Sequence, residues 1–473
     1  MRIITLLCTL CISALAFAKV EDETLRLHRC YGLFVKERIP ANDPLWIAVK
    51  SGTKSGTDAC MELFDKASLG DNGEIVKYPD GNFDYEGMKV LKSFNDLHRS
   101  FFEIESFHIN LDSLSLPTIN VIDTNEPAYH FTYGMFKKDD VFSQIVTRDS
   151  SLKSIRFSRK SARTKGTNNL PLSFMQGSNA IPNPTFTTWS PRVVETGVLI
   201  GLEPDQDEII LTHARNKNEP YATGANVNEH FGAGLIGTQA YLIGNAPLER
   251  MADGALKLNR RWSKHVFSDL LCRDLPALRS TDVIQNVVKD SQISYKQGIS
   301  CMGCHSSMDP LSGVIRNLQS DTSGPIRIPN VSTPNVRYWF KIPSSKNAEP
   351  FPTITKDADF YLRPTEGSLF YRSYDGTLVE QNVTDIAELG QALAQTNDLY
   401  VCAAKRYYKF LTGITVDLSD SGNINSPVLS PAELIHRNKI IKMGLDLKNH
   451  QKVRQLIKTI IEMPTFVHPD KGV

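Results

Sequence analysis

The chain has 473 residues, with 53 Lys and Arg against 52 Asp and Glu, for a formal net charge of +1. That balance argues against a nucleic-acid binder held by bulk charge and against an enzyme steering acidic substrates by its overall field. The apolar fraction of 41% and charged fraction of 22% are those of a globular protein, long enough for about two to four domains and a substantial core.

The first residues read MRIITLLCTLCISALAFAKVEDE. Arg2 gives a positive start, residues 3 to 15 are almost continuously apolar, and Ala16-Phe17-Ala18 is a small-x-small cleavage signal. This is the layout of a secretory signal peptide, expected to be cut after Ala18. Neither Cys8 nor Cys11 follows a small residue, so a soluble exported protein is favoured over a lipoprotein. No later apolar run reaches the roughly 18 residues of a membrane span. The expected location is periplasmic or secreted, with no transmembrane span and no nucleic-acid partner.

From 19 to 147 the text is helical. DETLRLHRCYGLFVKERIP has helical apolar spacing and stops at Pro40. NDPLWIAVKSG offers Asn42 or Asp43 as cap with Pro44 in the first turn. YEGMKVLKSFNDLHRSFFEIES is a longer amphipathic helix. Residues 148–190 turn basic, Ser/Thr-rich and proline-broken, which predicts a long surface excursion. Lys153, Arg156, Arg159, Lys160, Arg163 and Lys165 are either a solvated loop or a docking patch for an anionic partner. Asp205, Asp207 and Glu208 read as a solvated turn rather than acid–base machinery. Helical pattern resumes in NVNEHFGAGLIGTQAYLIGN and MADGALKLNRRWSKHVFSDLLCRDLP. The first contains a formal G-x-G-x-x-G, Gly232, Gly234 and Gly237, but no convincing strand precedes it, so a turn or close helix packing is expected.

The decisive stretch is ISCMGCHSSMDPLSG, residues 299 to 313. In c-type attachment two thiols add across the haem vinyl groups and the adjacent histidine becomes the proximal iron ligand. A helix carrying CMGCH places Cys301, Cys304 and His305 on one side, because residues three and four apart share a face. A zinc site would need two more Cys or His at paired spacing, and neither Cys402 nor His436 sits in such a pair. A thioredoxin-like dithiol would be expected beside a βαβ pattern. One covalently attached haem c is therefore expected, on a short helix followed by a Met-Asp-Pro turn. Residues 309 to 435 contain no Met and no His, so a sixth iron ligand comes from elsewhere or does not exist. Met175, Met251, His265, His436 and Met443 are the candidates, and Arg260, Arg261 and Lys264 are candidate partners of the haem propionates.

Four cysteines remain, and an oxidising compartment favours pairing them. Cys30 and Cys60 lie on short amphipathic segments able to lie side by side and are expected to pair, leaving Cys272 with Cys402; four buried free thiols are the alternative. After the motif, PNVRYWFKI and GSLFYRSYDGTLVEQNV carry strand signals, with Asp375-Gly376 as a hairpin turn. VTDIAELGQALAQ, NDLYVCAAKRYYKFLTG, SPAELIHRNKIIKMGLDL and NHQKVRQLIKTIIEMPTF close the chain as helices, the first and third with capping signals. The expected fold is mainly α: a multi-helical N-terminal region, then a cytochrome c-like helical haem domain with a small β-hairpin insertion. The expected division is a signal peptide (1–18), an N-terminal helical domain (19–147), the surface excursion (148–190), a helical linker domain (191–290) and the haem domain (291–473).

SCMGCHSSMDPLSGVIRNL resembles the haem segment of the planctomycete-type cytochrome c proteins, exported multi-domain proteins in which CxxCH is followed shortly by Asp-Pro-Leu-Gly. Asp309-Pro310-Leu311 matches, while Ser312 precedes Gly313, a departure of one residue. RRWSKHVFSDLLCRDLPAL and VVETGVLIG upstream, and LYVCAAKRYYKFLTGITV and VRQLIKTIIEMPTFV downstream, are similar in a looser way, over residues 190 to 468. The resemblance implies Cys301 and Cys304 as thioether positions and His305 as proximal ligand. It implies that Asp309 and Pro310 shape the turn beneath the haem, with Asp309 orienting His305 through its other ring nitrogen. It implies no substrate. Three functions follow: an electron carrier with a redox partner protein, a haem enzyme or sensor with an open iron, and a cell-surface binding protein with accessory haem.

Overall fold

The computed structural model describes residues 20–71, 73, 85–102, 125–158, 207–216, 231–245, 256–321, 338–341, 363–420, 422 and 426–469. The expected signal peptide and its cleavage site lie outside them, as do Asp205 and residues 159–190.

The fold is mainly α with small two-stranded antiparallel sheets. A first helix, α1, covers residues 20–34. It is followed by α2 (Pro44–Lys50), α3 (Gly56–Asp65), α4 (Tyr85–Arg99) and α5 (Glu126–Phe136). Asp43 caps α2, its side chain accepting from the backbone N–H groups of Leu45 and Trp46, with Pro44 in the first turn. These helices enclose Phe34, Phe64, Phe94 and Phe136, whose ring centroids lie 4.8–6.1 Å apart, and Phe410 joins Phe94 at 5.6 Å. A disulfide joins Cys30 of α1 to Cys60 of α3, as their amphipathic segments lead one to expect, and a second joins the remaining pair, Cys272 and Cys402.

Residues 150–158 are not loop. Strand β1 (Ser150–Ser158) pairs antiparallel with β2 (Asp207–Asn216), Ile155 opposite Ile210 and Phe157 opposite Glu208. Asp207 and Glu208 accordingly open a strand, not a turn. The strand was hidden because basic residues are interspersed with the apolar ones, a bulge between Ser150 and Leu152 breaks the period of two, and the partner strand is about 50 residues away.

The formal G-x-G-x-x-G forms a turn and a single 3-10 turn (Gly234–Gly237) before α6 (Gln239–Gly244). Gly234 has φ +55°, and a Cβ there would lie 2.1 Å from the Ile145 carbonyl oxygen. Its glycine is needed for backbone-to-backbone packing.

α7 (Leu256–Leu271) leads to the motif helix α8 (Ile299–Ser312). Beyond it β3 (Leu318–Asp321) pairs with β4 (Tyr338–Lys341). β5 (Gly367–Arg372) and β6 (Leu378–Val383) form the expected hairpin, with Gly376 at φ +81° in its loop. Then come α9 (Ile386–Gln395), α10 (Asn397–Thr412), α11 (Pro431–His450) and α12 (Val453–Glu462). Asp385 caps α9, and Ser430 with Glu433 forms a capping box on α11. One large apolar cluster runs from Leu27 to Phe466, so the first and last helices share a core. Arg29 extends this union, donating to the carbonyls of Leu411 and Thr412 at 3.0–3.2 Å. Among the described residues, no helix is long and apolar enough to cross a membrane.

Candidate functional site

α8 starts at Ile299 after the N-cap Gly298, passes through Cys301, Cys304 and His305, and runs on to Ser312. Met308, Asp309 and Pro310 therefore lie inside the helix, where a turn was expected. Proline's fixed φ is helical, and at position 310 only two helical residues follow, so the lost N–H bond falls in the last turn. Ser312 Oγ donates to the Asp309 carbonyl at 2.7 Å in that turn. Gly313 follows, and a Cβ there would lie 2.2 Å from the Glu366 carbonyl oxygen, so the helix end can press against the start of β5 only with glycine.

Keeping Asp309 helical has a chemical result. His305 and Asp309 are four residues apart on one face, and His305 Nδ1 lies 3.0 and 3.1 Å from the two carboxylate oxygens. Arg260 of α7 grips the same carboxylate from the far side, Nε to Oδ1 at 2.7 Å and Nη2 to Oδ2 at 3.0 Å. Arg260 Nη2 also donates to the Tyr295 hydroxyl at 3.0 Å. The Tyr295 ring stacks on the imidazole, with centroids 4.0 Å apart and planes 19° from parallel. The imidazole is thus fixed in plane by stacking and in rotation by a carboxylate at Nδ1, an arrangement in which Nε2 is the nitrogen that could ligate a metal.

The two thiols on this helix are free; Cys301 is exposed and Cys304 half-buried. Burial pushes the Cys304 thiol up, the neighbouring Cys301 adds to this, and Lys264 opposes it. A redox dithiol needs the reverse, a thiol lowered toward thiolate at neutral pH.

The segment before the helix folds back over it. Asn286 Nδ2 donates to Ser306 Oγ at 3.1 Å, and the Val288 N–H to the Lys296 carbonyl at 2.9 Å. Beneath lies a small separate cluster of Leu278, Val283, Met302 and Phe370. Outward, Ile284, Val288, Ile293 and Ile299 are 40–63% exposed. Four large aliphatic side chains are left to water within 16 residues of sequence that lead into the helix of the exposed Cys301, the half-buried Cys304 and the oriented imidazole. The chemistry of such a lining would suit the flat apolar faces of a porphyrin. A haem would be held here by Cys301, Cys304 and His305.

The remaining candidates divide. Arg260, read from the sequence either as a propionate partner or as part of a solvated helix face, is bonded to Asp309 and Tyr295. Arg261 is only partly exposed, whereas Lys264 is exposed, one turn along α7 from Arg260 and near Cys304. Met175 and Met251 lie outside the described residues. His265 is five residues from Arg260, about 140° round the helix, and is buried with Nδ1 3.7 Å from Asp269 Oδ2. His436 Nδ1 pairs with the Tyr408 hydroxyl at 2.7 Å, and Met443 is buried on α11. Sequence reading missed Tyr295 and the aliphatic collar; the signal for the collar was isoleucine and valine recurring in an otherwise polar segment. Among the described residues, no group of three or more His, Cys, Asp and Glu is set to hold a metal ion.

No family model matches the chain, and no curated protein or solved structure proved similar to it.

Proposed function

We propose that the protein carries one haem c outside the cytoplasm and passes single electrons between a reduced and an oxidised redox partner protein. Cys301 and Cys304 are the thioether positions, and His305 Nε2 is the proximal iron ligand. The observation that carries this reading is the Asp309–His305 pair inside a CxxCH helix: a carboxylate on Nδ1 fixes the tautomer and raises the basicity of Nε2. The two disulfides are compatible with an extracytoplasmic chain. When bound, the iron supplies the ferrous–ferric couple, with a potential set by ligand basicity, burial and hydrogen bonding. Arg260 holds the Asp309 carboxylate in place, Tyr295 covers one face of the imidazole, and Ile284, Val288, Ile293 and Ile299 would exclude water from the ring. Lys264, exposed and near Cys304, would meet a propionate.

A second reading has the iron open to a small ligand. It is favoured by the commitment of His436 to Tyr408 and of Met443 to the core. A pyridine haemochrome assay on protein matured with a haem-attachment system tests the first claim, with one haem per chain expected. The double variant Cys301→Ser, Cys304→Ser should lose all haem stain after denaturation; retained stain would overturn the attachment. A low-spin spectrum unchanged by carbon monoxide then selects the carrier, and a carbon monoxide-shifted Soret band selects the open site.

A further inference from the structure

A second site lies away from the motif, where α4, the end of α7 and α10 meet. A cleft of about 490 Å³ opens there, within the size range of small-molecule pockets. Its apolar wall is Leu97, Phe101 and Phe410, and Cys272 of the second disulfide borders it. Its charged lining is Lys405, Arg406 and Lys409 against one acid, Asp274.

Arg406 is the unusual member. Its guanidinium lies over the Phe101 ring, 4.5 Å from the centroid, and Nη2 donates to the Ser268 carbonyl at 3.3 Å. Its Nη1 is buried with no hydrogen-bond partner among the described residues. The nearby Asp269 attracts it, but that carboxylate accepts from the Tyr241 hydroxyl and from Ser268 Oγ, each at 3.0 Å. Burial pulls both Arg406 and Lys405 below their ordinary values, although Asp417 and Asp274 partly support Lys405. Arg406 as a whole is half-buried, but its enclosed Nη1 has no acceptor among the described residues, and a cationic donor left so is costly unless an anion completes it.

We propose that this cleft binds a small organic monoanion, a carboxylate on an aromatic or short aliphatic body. The body lies against Phe101, Phe410 and Leu97, and the carboxylate meets Arg406 with Lys405 and Lys409 at the mouth. Asp274 on the rim and the apolar wall select against compact dianions. The site stands independently of the haem assignment, since none of its lining residues belongs to the motif.

Calorimetric titration of the purified mature chain with benzoate, hexanoate, benzamide and inorganic phosphate tests this. Benzoate or hexanoate should bind one per chain with Kd on the order of 1 mM, the range expected of so small a ligand. Benzamide and phosphate should bind about tenfold more weakly, because neither offers a carboxylate together with an apolar body. The exposed-residue variant Lys409→Gln, and Lys405→Gln, should each weaken benzoate about threefold or more and leave benzamide unchanged. Equal affinity for benzamide and benzoate overturns the proposal, as does benzoate binding indifferent to both lysine substitutions. Absence of saturable carboxylate binding up to about 20 mM, well above that expected Kd, also overturns it.

Discussion

Residues 20–136 and residues 278–305 both place apolar side chains around a helix, but they finish the task differently. In the first region, Phe34, Phe64, Phe94 and Phe136 interlock, and each is at most 3% exposed. A disulfide staples the enclosing helices. In the second, Leu278, Val283, Met302 and Phe370 make a cluster of four, while Ile284, Val288, Ile293 and Ile299 remain in water. The first region is complete as polypeptide. The second has the apolar surface of a core and the packing of a surface, and it carries the CxxCH motif. Under the proposed haem attachment, these exposed aliphatic side chains would be the part of a core that the chain does not itself supply.

That contrast can be broken experimentally. The largest stability effect should come from Phe94→Ala, which opens a cavity among five aromatic neighbours and is expected to cost about 3–5 kcal/mol. Urea denaturation should show this as a lower midpoint with the slope unchanged; a change under 1 kcal/mol, about a quarter of the expected cost, would mean that the first region is not the closed one.

The same region should fail in acid. His98 is fully buried, its ring nitrogens 2.8 Å from Thr132 Oγ1 and 2.9 Å from the Tyr407 hydroxyl, and burial drives its pKa down to about 3. The unfolded chain takes up this proton near 6.5 and the folded chain does not, so stability is lost as pH falls from about 6.5 toward 3. The His98 contribution amounts to about 3 kcal/mol by pH 4. Unfolding midpoints against pH should be flatter for His98→Gln than for the natural chain over that window; parallel curves would refute a neutral buried imidazole.

In the second region effects should be smaller and tied to cofactor. Asp309→Asn removes the carboxylate from His305 Nδ1, lowers the basicity of Nε2 and should raise the midpoint potential of haem-loaded protein by roughly 60 mV, the equivalent of tenfold. An unchanged potential would leave Asp309 a structural residue only. Smallest of all, Val288→Ser and Ile293→Ser should each change the stability of haem-free protein by less than about 0.5 kcal/mol. They should destabilise the loaded protein measurably more. Equal effects in both forms would detach the aliphatic collar from haem.

How much of this was readable in the sequence follows from how far apart the interacting residues lie. His305 and Asp309 are one helical turn apart, yet their meeting was suggested by the resemblance alone, because the Met-Asp-Pro stretch was expected to leave the helix as a turn. Each cap at Asp43, Asp385 and Ser430 depends on residues within three positions. The hairpin at Asp375-Gly376 was equally local. Arg260 is 49 residues from Asp309, and nothing in its neighbourhood distinguishes a carboxylate partner from a propionate one. Tyr295 stacks on His305 only because a 3-10 turn over Ser294–Gln297 brings the chain back over the helix. The β1–β2 ribbon needed a pairing across masking basic residues, which periodicity does not reveal. Disulfide partners 130 residues apart were reached by elimination once the motif cysteines were set aside.

The distribution of sulfur has a consequence for how loaded protein is made. Cys30 and Cys60 have no exposure and Cys402 has 2%, so once folded they are beyond the reach of dissolved oxidants and alkylating reagents. Cys301 is in the open, with Cys304 one helical turn away. The surroundings that complete the two staples therefore also threaten the pair left free. Under the proposed haem attachment that pair must stay reduced until it meets its ring, and timing between these rival sulfur chemistries would limit how much coloured protein a cell recovers.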